Sequence, residues 1–217
     1  MPVVDWGRRP YLDALEEMRR LARERQRGAL PDTLILVEHP PVVTVGVEGD
    51  DGGAEAVGVP VVHVERGGKA TYHGPGQLVG YPIVDLAARG RDVRRFVHDL
   101  EAMIADAIRP LGVSAGSVAG RRGVWVAGER KIASVGLAVE RWVTFHGFAL
   151  NVDLDLAPFR AFRPCGFHGE IMTTIARELG RPVRLDEVAP RLRAAWAERF
   201  EPPPSASAEP PRIVPAA

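Results

Sequence analysis

The stretch Arg66-Gly-Gly-Lys-Ala-Thr-Tyr-His-Gly-Pro-Gly-Gln77 constrains this chain more than any other. Four glycines and a proline stand there among Arg66, Lys69, Thr71, Tyr72, His73 and Gln77. Glycine gives up the most backbone entropy on folding and brings no side chain to a core, so such a run is a poor plain strand. Its usual uses are a tight turn or a backbone that closely approaches a ligand. Val61-Val-His-Val64 before it and Leu78-Val-Gly-Tyr-Pro-Ile-Val84 after it are apolar and read as strands. A surface loop between two strands is the plainer alternative. The convergence of donors and rings among the glycines favours one wall of an active site.

Along the rest of the chain, Pro10 opens a helix with Tyr11, Leu15, Met18 and Ala22 on one face, and Gly28 ends it. Asp32–Glu38 and Pro41–Gly46 read as strands, and 47–58 as a loop. Asp92 is placed to cap a helix carrying Phe96, Leu100, Met103, Ile104 and Ala107, closed by Pro110 and Gly112. Gly123–Gly128 and Lys131–Gly136 form a hairpin joined at Gly128-Glu129, and Thr144–Val152 is a further strand. Phe162–His168 is a loop. Helices over Thr173–Leu179 and Asp186–Phe200 follow, the second burying Val188, Leu192, Trp196 and Phe200. This order predicts an α+β fold, a mixed β-sheet flanked by helices, as a single catalytic domain over 1–201. The proline- and alanine-rich residues 202–217 read as a disordered tail.

Charge and composition exclude several function classes. Lys+Arg and Asp+Glu both number 28, so no net field attracts nucleic acid or an anionic membrane. No apolar run approaches the roughly 18 residues that span a bilayer, and Met1-Pro-Val-Val-Asp-Trp6 lacks the pattern of a signal peptide. A cytoplasmic protein is expected. Cys165 is the single cysteine, which excludes an internal disulfide and multi-cysteine zinc sites. No histidine pair has metal-ligand spacing on a helix, so no metal is assigned.

Three residue types carry candidate chemistry. Cys165 stands between Pro164 and Gly166, with Arg163 and His168 close in sequence. It is either an apolar filler or, beside positive groups in a loop, a thiol poised as nucleophile. Lys131 enters a largely apolar strand and is either a snorkelling edge lysine or a lysine that titrates. Of the 28 basic residues only Lys69 and Lys131 are lysine. Arginine stays protonated in proteins whereas lysine can release its proton, and this tilts Lys131 toward the second reading. His39 and His63 read as satisfied core or turn histidines. His73 either positions a substrate carbonyl or serves as the alternative base for Cys165. The spacing of Gly74, Gly76 and Gly80 fits neither a P-loop nor a dinucleotide fingerprint.

These segments, taken together, resemble a family. Arg66-Gly-Gly-x-x-Thr-Tyr-His-Gly-Pro-Gly-Gln-Leu78 resembles the signature of the lipoyl(octanoyl) transferases, also called lipoate–protein ligase B. Glu38-His-Pro-Pro41 with Thr44-Val-Gly46 is similar to an earlier segment of that family. Gly128-x-x-Lys-Ile-Ala-Ser-Val-Gly136, His146-Gly-Phe-Ala-Leu-Asn-Val-Asp153 and Pro164-Cys-Gly166 are similar to later ones, in the same order. The resemblance runs from about Leu12 to Leu179 and implies the fold shared by biotin– and lipoate–protein ligases. It implies transfer of an octanoyl group from octanoyl-acyl carrier protein to a lysine of lipoyl domains of oxoacid dehydrogenases, or of the glycine-cleavage H protein. By the resemblance Cys165 is the acyl-accepting nucleophile and Lys131 its acid/base partner. Arg66, Gly67, Gly68, Lys69, Ala70, Thr71, Tyr72 and His73, with Ser134, Val135 and Gly136 and with Gly147, Phe148 and Ala149, line the acyl site. No cofactor is implied, because a thioester donor is already activated. Small residues at Gly136, Gly147 and Ala149 are expected to leave room for a linear chain beside the strands. An ATP-dependent ligase of the same fold and a non-catalytic acyl-binding module are the alternatives.

Overall fold

The computed structural model describes residues 1–49, 53–162 and 171–201. Chain order is β1 (Val3–Arg8), α1 (Tyr11–Gln26), β2 (Thr33–Glu38), β3 (Val42–Val45), β4 (Val61–His63), β5 (Ala70–His73), β6 (Gln77–Ile83), α2 (Val93–Ile108), β7 (Ala115–Val118), β8 (Arg121–Val126), β9 (Arg130–Glu140), β10 (Val143–Asn151), α3 (Ile175–Leu179) and α4 (Leu185–Phe200). The main sheet has seven strands in the order β1-β2-β6-β10-β9-β8-β7, and β4-β3-β5 form a second, smaller sheet. β1 pairs with β2 in parallel while the remaining main-sheet neighbours are antiparallel. The sheet is therefore mixed and flanked by helices, an α+β arrangement as expected.

Side-chain period explains which face each helix covers. α1 buries Tyr11, Ala14, Leu15, Met18 and Ala22, spaced three and four apart, and these pack with Ile35, Val79, Tyr81 and Ala149. The other face carries the largest core: Leu100 and Ile104 of α2 meet Leu192 and Trp196 of α4 over Leu78, Phe148 and Leu150. Asp92 caps α2 by accepting from the Arg95 amide at 2.9 Å, and Gly112 closes the turn after it. The third core lies by the small sheet, where Val43, Val45, Ala70 and Tyr72 pack with Leu154, Phe159 and Met172. Among the described residues no helix is long and apolar enough to cross a membrane.

The structure departs from the sequence reading in four places. Residues 70–73 form a fully buried strand instead of continuing a loop. The glycines of the stretch lie at positions 67, 68, 74 and 76, outside Ala70-Thr-Tyr-His73, so the strand itself carries none of their entropic penalty. Edge strands β1 and β7 are additional elements. The turn between β8 and β9 is centred on Ala127 and Gly128, both with left-handed φ (51° and 71°), with Glu129 N donating to Val126 O at 3.1 Å. Two consecutive left-handed residues match the right-handed twist of the flanking strands. His63 ends β4 exposed, not as a core histidine. His39 is the fully buried one, bonded through Nδ1 to Arg9 O and through Nε2 to the Tyr81 hydroxyl, each at 2.8 Å.

Candidate active site

Strand alternation places a cavity of about 290 Å³ between β5 and the main sheet. Successive side chains of a strand point to opposite faces. Thr71 and His73, with Lys69 just before them, face the cavity. Ala70 and Tyr72 face the third core, where the Tyr72 ring meets Phe159 edge-on at 5.7 Å. The opposite wall is built from register: Ser134 pairs with Ala149 and Gly136 with Gly147 across β9 and β10, and Val79 and Tyr81 continue it on β6. Val135 and Phe148 also line the cavity, although both side chains belong to the main core.

The glycines here let chain lie against chain. A Cβ at Gly136 would stand 2.9 Å from Gly67 O, and one at Gly147 would stand 2.1 Å from Gly80 O. Neighbouring backbone thus occupies the side-chain positions of these two residues, while both still line the cavity. Gly46 is nearly as tight as Gly147, its Cβ position 2.2 Å from Gly68 O. Gly67 N donates to Leu137 O at 2.9 Å and fastens the glycine-rich stretch to β9.

Arg66 and His73 are committed to this architecture. The buried Arg66 guanidinium donates to Thr44 O at 2.7 Å, Thr44 Oγ1 at 2.8 Å, Lys69 O at 2.9 Å and Gly67 O at 3.1 Å, tying the loop to β3. Gln77 Nε2 donates to Tyr72 O and Asn151 Oδ1, so its Oε1 accepts from His73 Nδ1–H at 2.7 Å. His73 Nε2 is left to accept from the Thr44 hydroxyl at 3.3 Å. The chain continues from Asn151 Nδ2 to Thr173 O at 3.0 Å. Burial, then the His39 imidazole beside it, holds the His73 pKa down at about 3. A histidine this reluctant to take a proton is a poor base, so a role as alternative base for Cys165 is not what its surroundings favour.

The same burial has a measurable consequence. Unfolded His73 takes up a proton near pH 6.5 that the folded chain refuses until about pH 3, so stability falls as pH drops through that window. The slope is at most ~1.4 kcal/mol per pH unit for each such group. Burial lowers His39 and His146 as well, so all three act with the same sign. Urea unfolding at pH 7.5 and 5.5 should give a clearly lower stability at the lower pH; equal values would contradict the neutral buried histidines.

Lys131 occupies the end of the cavity lining on β9. It is 3% exposed, which removes the snorkelling alternative, and its Nζ stands 5.4 Å from the centre of the Trp125 ring. The aliphatic stem passes Gly123, where a Cβ would meet Lys131 Cε at 2.7 Å and Ala133 O at 2.4 Å. Gly123 has φ +113° and its amide donates to the buried Glu101 carboxylate at 2.6 Å. Lys131 O accepts from Thr173 N at 3.0 Å, and Lys131 bridges in parallel to Met172. Cys165, with Arg163 and His168, lies outside the described residues, as does the stretch 202–217. Phe162 and Met172, on either side of the Cys165 segment, both join the third core.

Sequence reasoning missed several lining residues: Tyr11, Glu48, Val79, Tyr81, Gly120, Arg121, Arg122 and His146. Lys69, Arg121 and Arg122 bring positive charge to the lining, and Glu48 accepts from Gly68 N at 3.0 Å. The Arg121-Arg122 pair directly before Gly123 was the available signal. His146 opens the motif whose next three residues were assigned to the site, whereas Tyr11 gave no signal, because α1 reaches the cavity only through tertiary packing.

Known proteins resemble this chain in sequence and in fold. The family model of the lipoyl protein ligase A/B catalytic domain matches residues 10–197. A Geobacter sulfurreducens protein named Octanoyltransferase is 48% identical over 197 residues, covering 91% of this chain and 83% of its own. One of the same name from Solibacter usitatus is 45% identical and covers 90% of each chain. A bi-partite lipoate protein ligase from Thermoplasma acidophilum superposes with TM-score 0.63 at 18% identity, covering 91% of this chain and 82% of that one. The Aquifex aeolicus biotin protein ligase gives TM-score 0.59 at 12% identity, with 91% and 69% covered. These solved structures show the shared fold, and the chain belongs to the lipoyl protein ligase A/B catalytic domain family.

Proposed function

We propose that this protein is an acyltransferase that moves an octanoyl group from a carrier-protein thioester to a lysine of a lipoyl domain, by way of Cys165. The observation that carries it is a buried lysine, Lys131, at one end of a half-open cavity, in a chain whose relatives at 43–48% identity carry the name Octanoyltransferase. The Cys165 thiolate attacks the donor carbonyl, an enzyme thioester forms, and the carrier leaves as a thiol after gaining a proton. The acceptor amine then attacks the enzyme thioester, an amide forms, and the Cys165 thiolate is released. Lys131 is suited to take the proton from the thiol in the first step and from the amine in the second. Thr71, Ser134, Val79, Tyr81 and Ala149 are suited to enclose the acyl chain. Each methylene buried there contributes roughly 0.8 kcal/mol, so the chain itself supplies several kcal/mol of binding. Carrier proteins with octanoyl thioesters are the proposed donors, and lipoyl domains of oxoacid dehydrogenases or the glycine-cleavage H protein the acceptors. Lys69, Arg121 and Arg122 favour an acidic partner at the entrance.

Incubation with octanoyl carrier protein and an unmodified lipoyl domain, with no nucleotide present, should add one octanoyl mass to the acceptor lysine. Transfer only from free octanoate with ATP would instead identify an adenylating ligase. Binding of the acyl donor with no product would leave an acyl-binding module.

A further inference from the structure

His146 is not among the residues that the sequence motifs assign to the acyl site, yet it lines the cavity at 1% exposure. Its backbone has φ +56°, a left-handed conformation that L residues with a Cβ rarely hold inside a buried strand. Such strain persists only where the surroundings enforce it, and it clusters at functional sites. Here His146 N lies 3.0 Å from Met18 Sδ of α1. The ring Nε2 has no hydrogen-bond partner among the described residues, and its nearest carboxylate oxygen, Glu65 Oε2, is at 3.6 Å, longer than a hydrogen bond. Glu65 is instead held by Arg19, which donates to it twice, at 2.7 and 2.8 Å. Hydrogen bonding alone therefore does not account for the position of this side chain.

Register locates it. Along β9 the cavity lining runs from Lys131 through Ser134 and Val135 to Gly136 and stops there; along β10 it runs from Ala149 through Gly147 to His146 and stops there. His146 pairs with Leu137, one step beyond the Gly136–Gly147 pair. Lys131 and His146 thus mark opposite ends of the cavity along the strands. The Lys131 stem leans past Gly123 to the level of Ala133. From there to Leu137 is four residues of strand, about 13 Å at ~3.3 Å per residue. An extended eight-carbon acyl group with its carbonyl at Lys131 spans that distance once the ~4 Å contact of its terminal methyl is included.

We infer that the His146 ring is the end wall of the acyl cavity, a specificity-determining residue that stops the chain at about eight carbons. This rests on the acyl-transfer reading of the same site. The left-handed φ is what directs the side chain across the end of the cavity, and burial keeps the imidazole neutral, an acceptable surface for a terminal methyl.

The test compares octanoyl and decanoyl carrier thioesters as donors for the unaltered protein, His146→Gly and His146→Asn. Glycine accepts φ +56° without strain and asparagine tolerates it better than most residues, so both are compatible with the backbone, and thermal unfolding of each variant verifies folding. The decanoyl-to-octanoyl ratio of kcat/KM should rise about 15-fold in either folded variant, the worth of two further buried methylenes. An unchanged ratio in the folded variants, with octanoyl still transferred by the unaltered protein, overturns the end-wall role and leaves acyl transfer standing. Failure of the unaltered protein to transfer octanoyl at all overturns both.

Discussion

Lys131→Arg should lose octanoyl transfer by about 10²–10⁴-fold, the usual range of general acid–base help. Two roles are open to a lysine beside a nucleophilic thiol. One is a fixed charge that favours the thiolate; the other adds movement of a proton between thiol, leaving group and amine. Arginine fills the first role and fails the second, because it stays protonated at any working pH. The chain uses lysine at only two of its 28 basic positions, and one of these is buried at 3% exposure in the cavity lining. A guanidinium there keeps the positive charge near the Trp125 ring. The variant should therefore still react at Cys165 with a neutral alkylating agent while turning over slowly. Rates close to normal in Lys131→Arg would remove the proton-moving role and leave the electrostatic one.

Gly123→Ala should be nearly as damaging to transfer although residue 123 is not part of the cavity lining. Its φ of +113° lies where a residue with a Cβ is strained whatever space surrounds it. An added Cβ would also stand 2.4 Å from Ala133 O and 2.7 Å from Lys131 Cε. The carbonyl belongs to the neighbouring strand and cannot yield, so either β8 shifts or the lysine stem is pushed aside. Displacing the lysine head by about 1 Å is enough to cost on the order of 10²-fold in rate. Backbone strain adds ~1–3 kcal/mol of lost stability. Thermal unfolding together with kcat at a temperature where the variant is folded separates the two effects. Full activity in a folded Gly123→Ala protein would mean that the Lys131 position is not critical.

Much of this site was legible in the sequence because its parts are local. Ser134, Gly136, Gly147 and Ala149 fall on two adjacent strands whose apolar pattern is clear, and register brings them together. Lys131 stood out by its residue type, in an otherwise apolar strand of an arginine-rich chain. What failed was reasoning about use. Arg66 lines the cavity, but four of its contacts are carbonyls and a hydroxyl of its own loop and of β3. Gly136 and Gly147 line the cavity, but backbone fills the positions that their side chains would take. Tyr72 looked equivalent to His73, and a strand period of two sends it to the opposite face. In the fold, β1 and β7 escaped notice for a physical reason. Val3–Arg8 lacks alternation, and part of what holds it comes from the far end of the chain, where Arg193 Nη1 donates to Val3 O at 2.9 Å. Ala115-Gly-Ser-Val118 has almost no side chain to announce an edge strand. Tyr11 reaches the cavity only through helix-on-sheet packing, which no local pattern encodes.

The claim that acyl transfer passes through Cys165 is tested most directly by trapping the intermediate. The protein is mixed with octanoyl carrier protein and no acceptor, then quenched in acid, digested and mapped by mass. One octanoyl group should be found on Cys165, released by hydroxylamine, and chased onto the acceptor lysine when an unmodified lipoyl domain is added. An octanoyl group on Lys69 or Lys131 instead, or full turnover by Cys165→Ala with no adduct anywhere, would contradict the account.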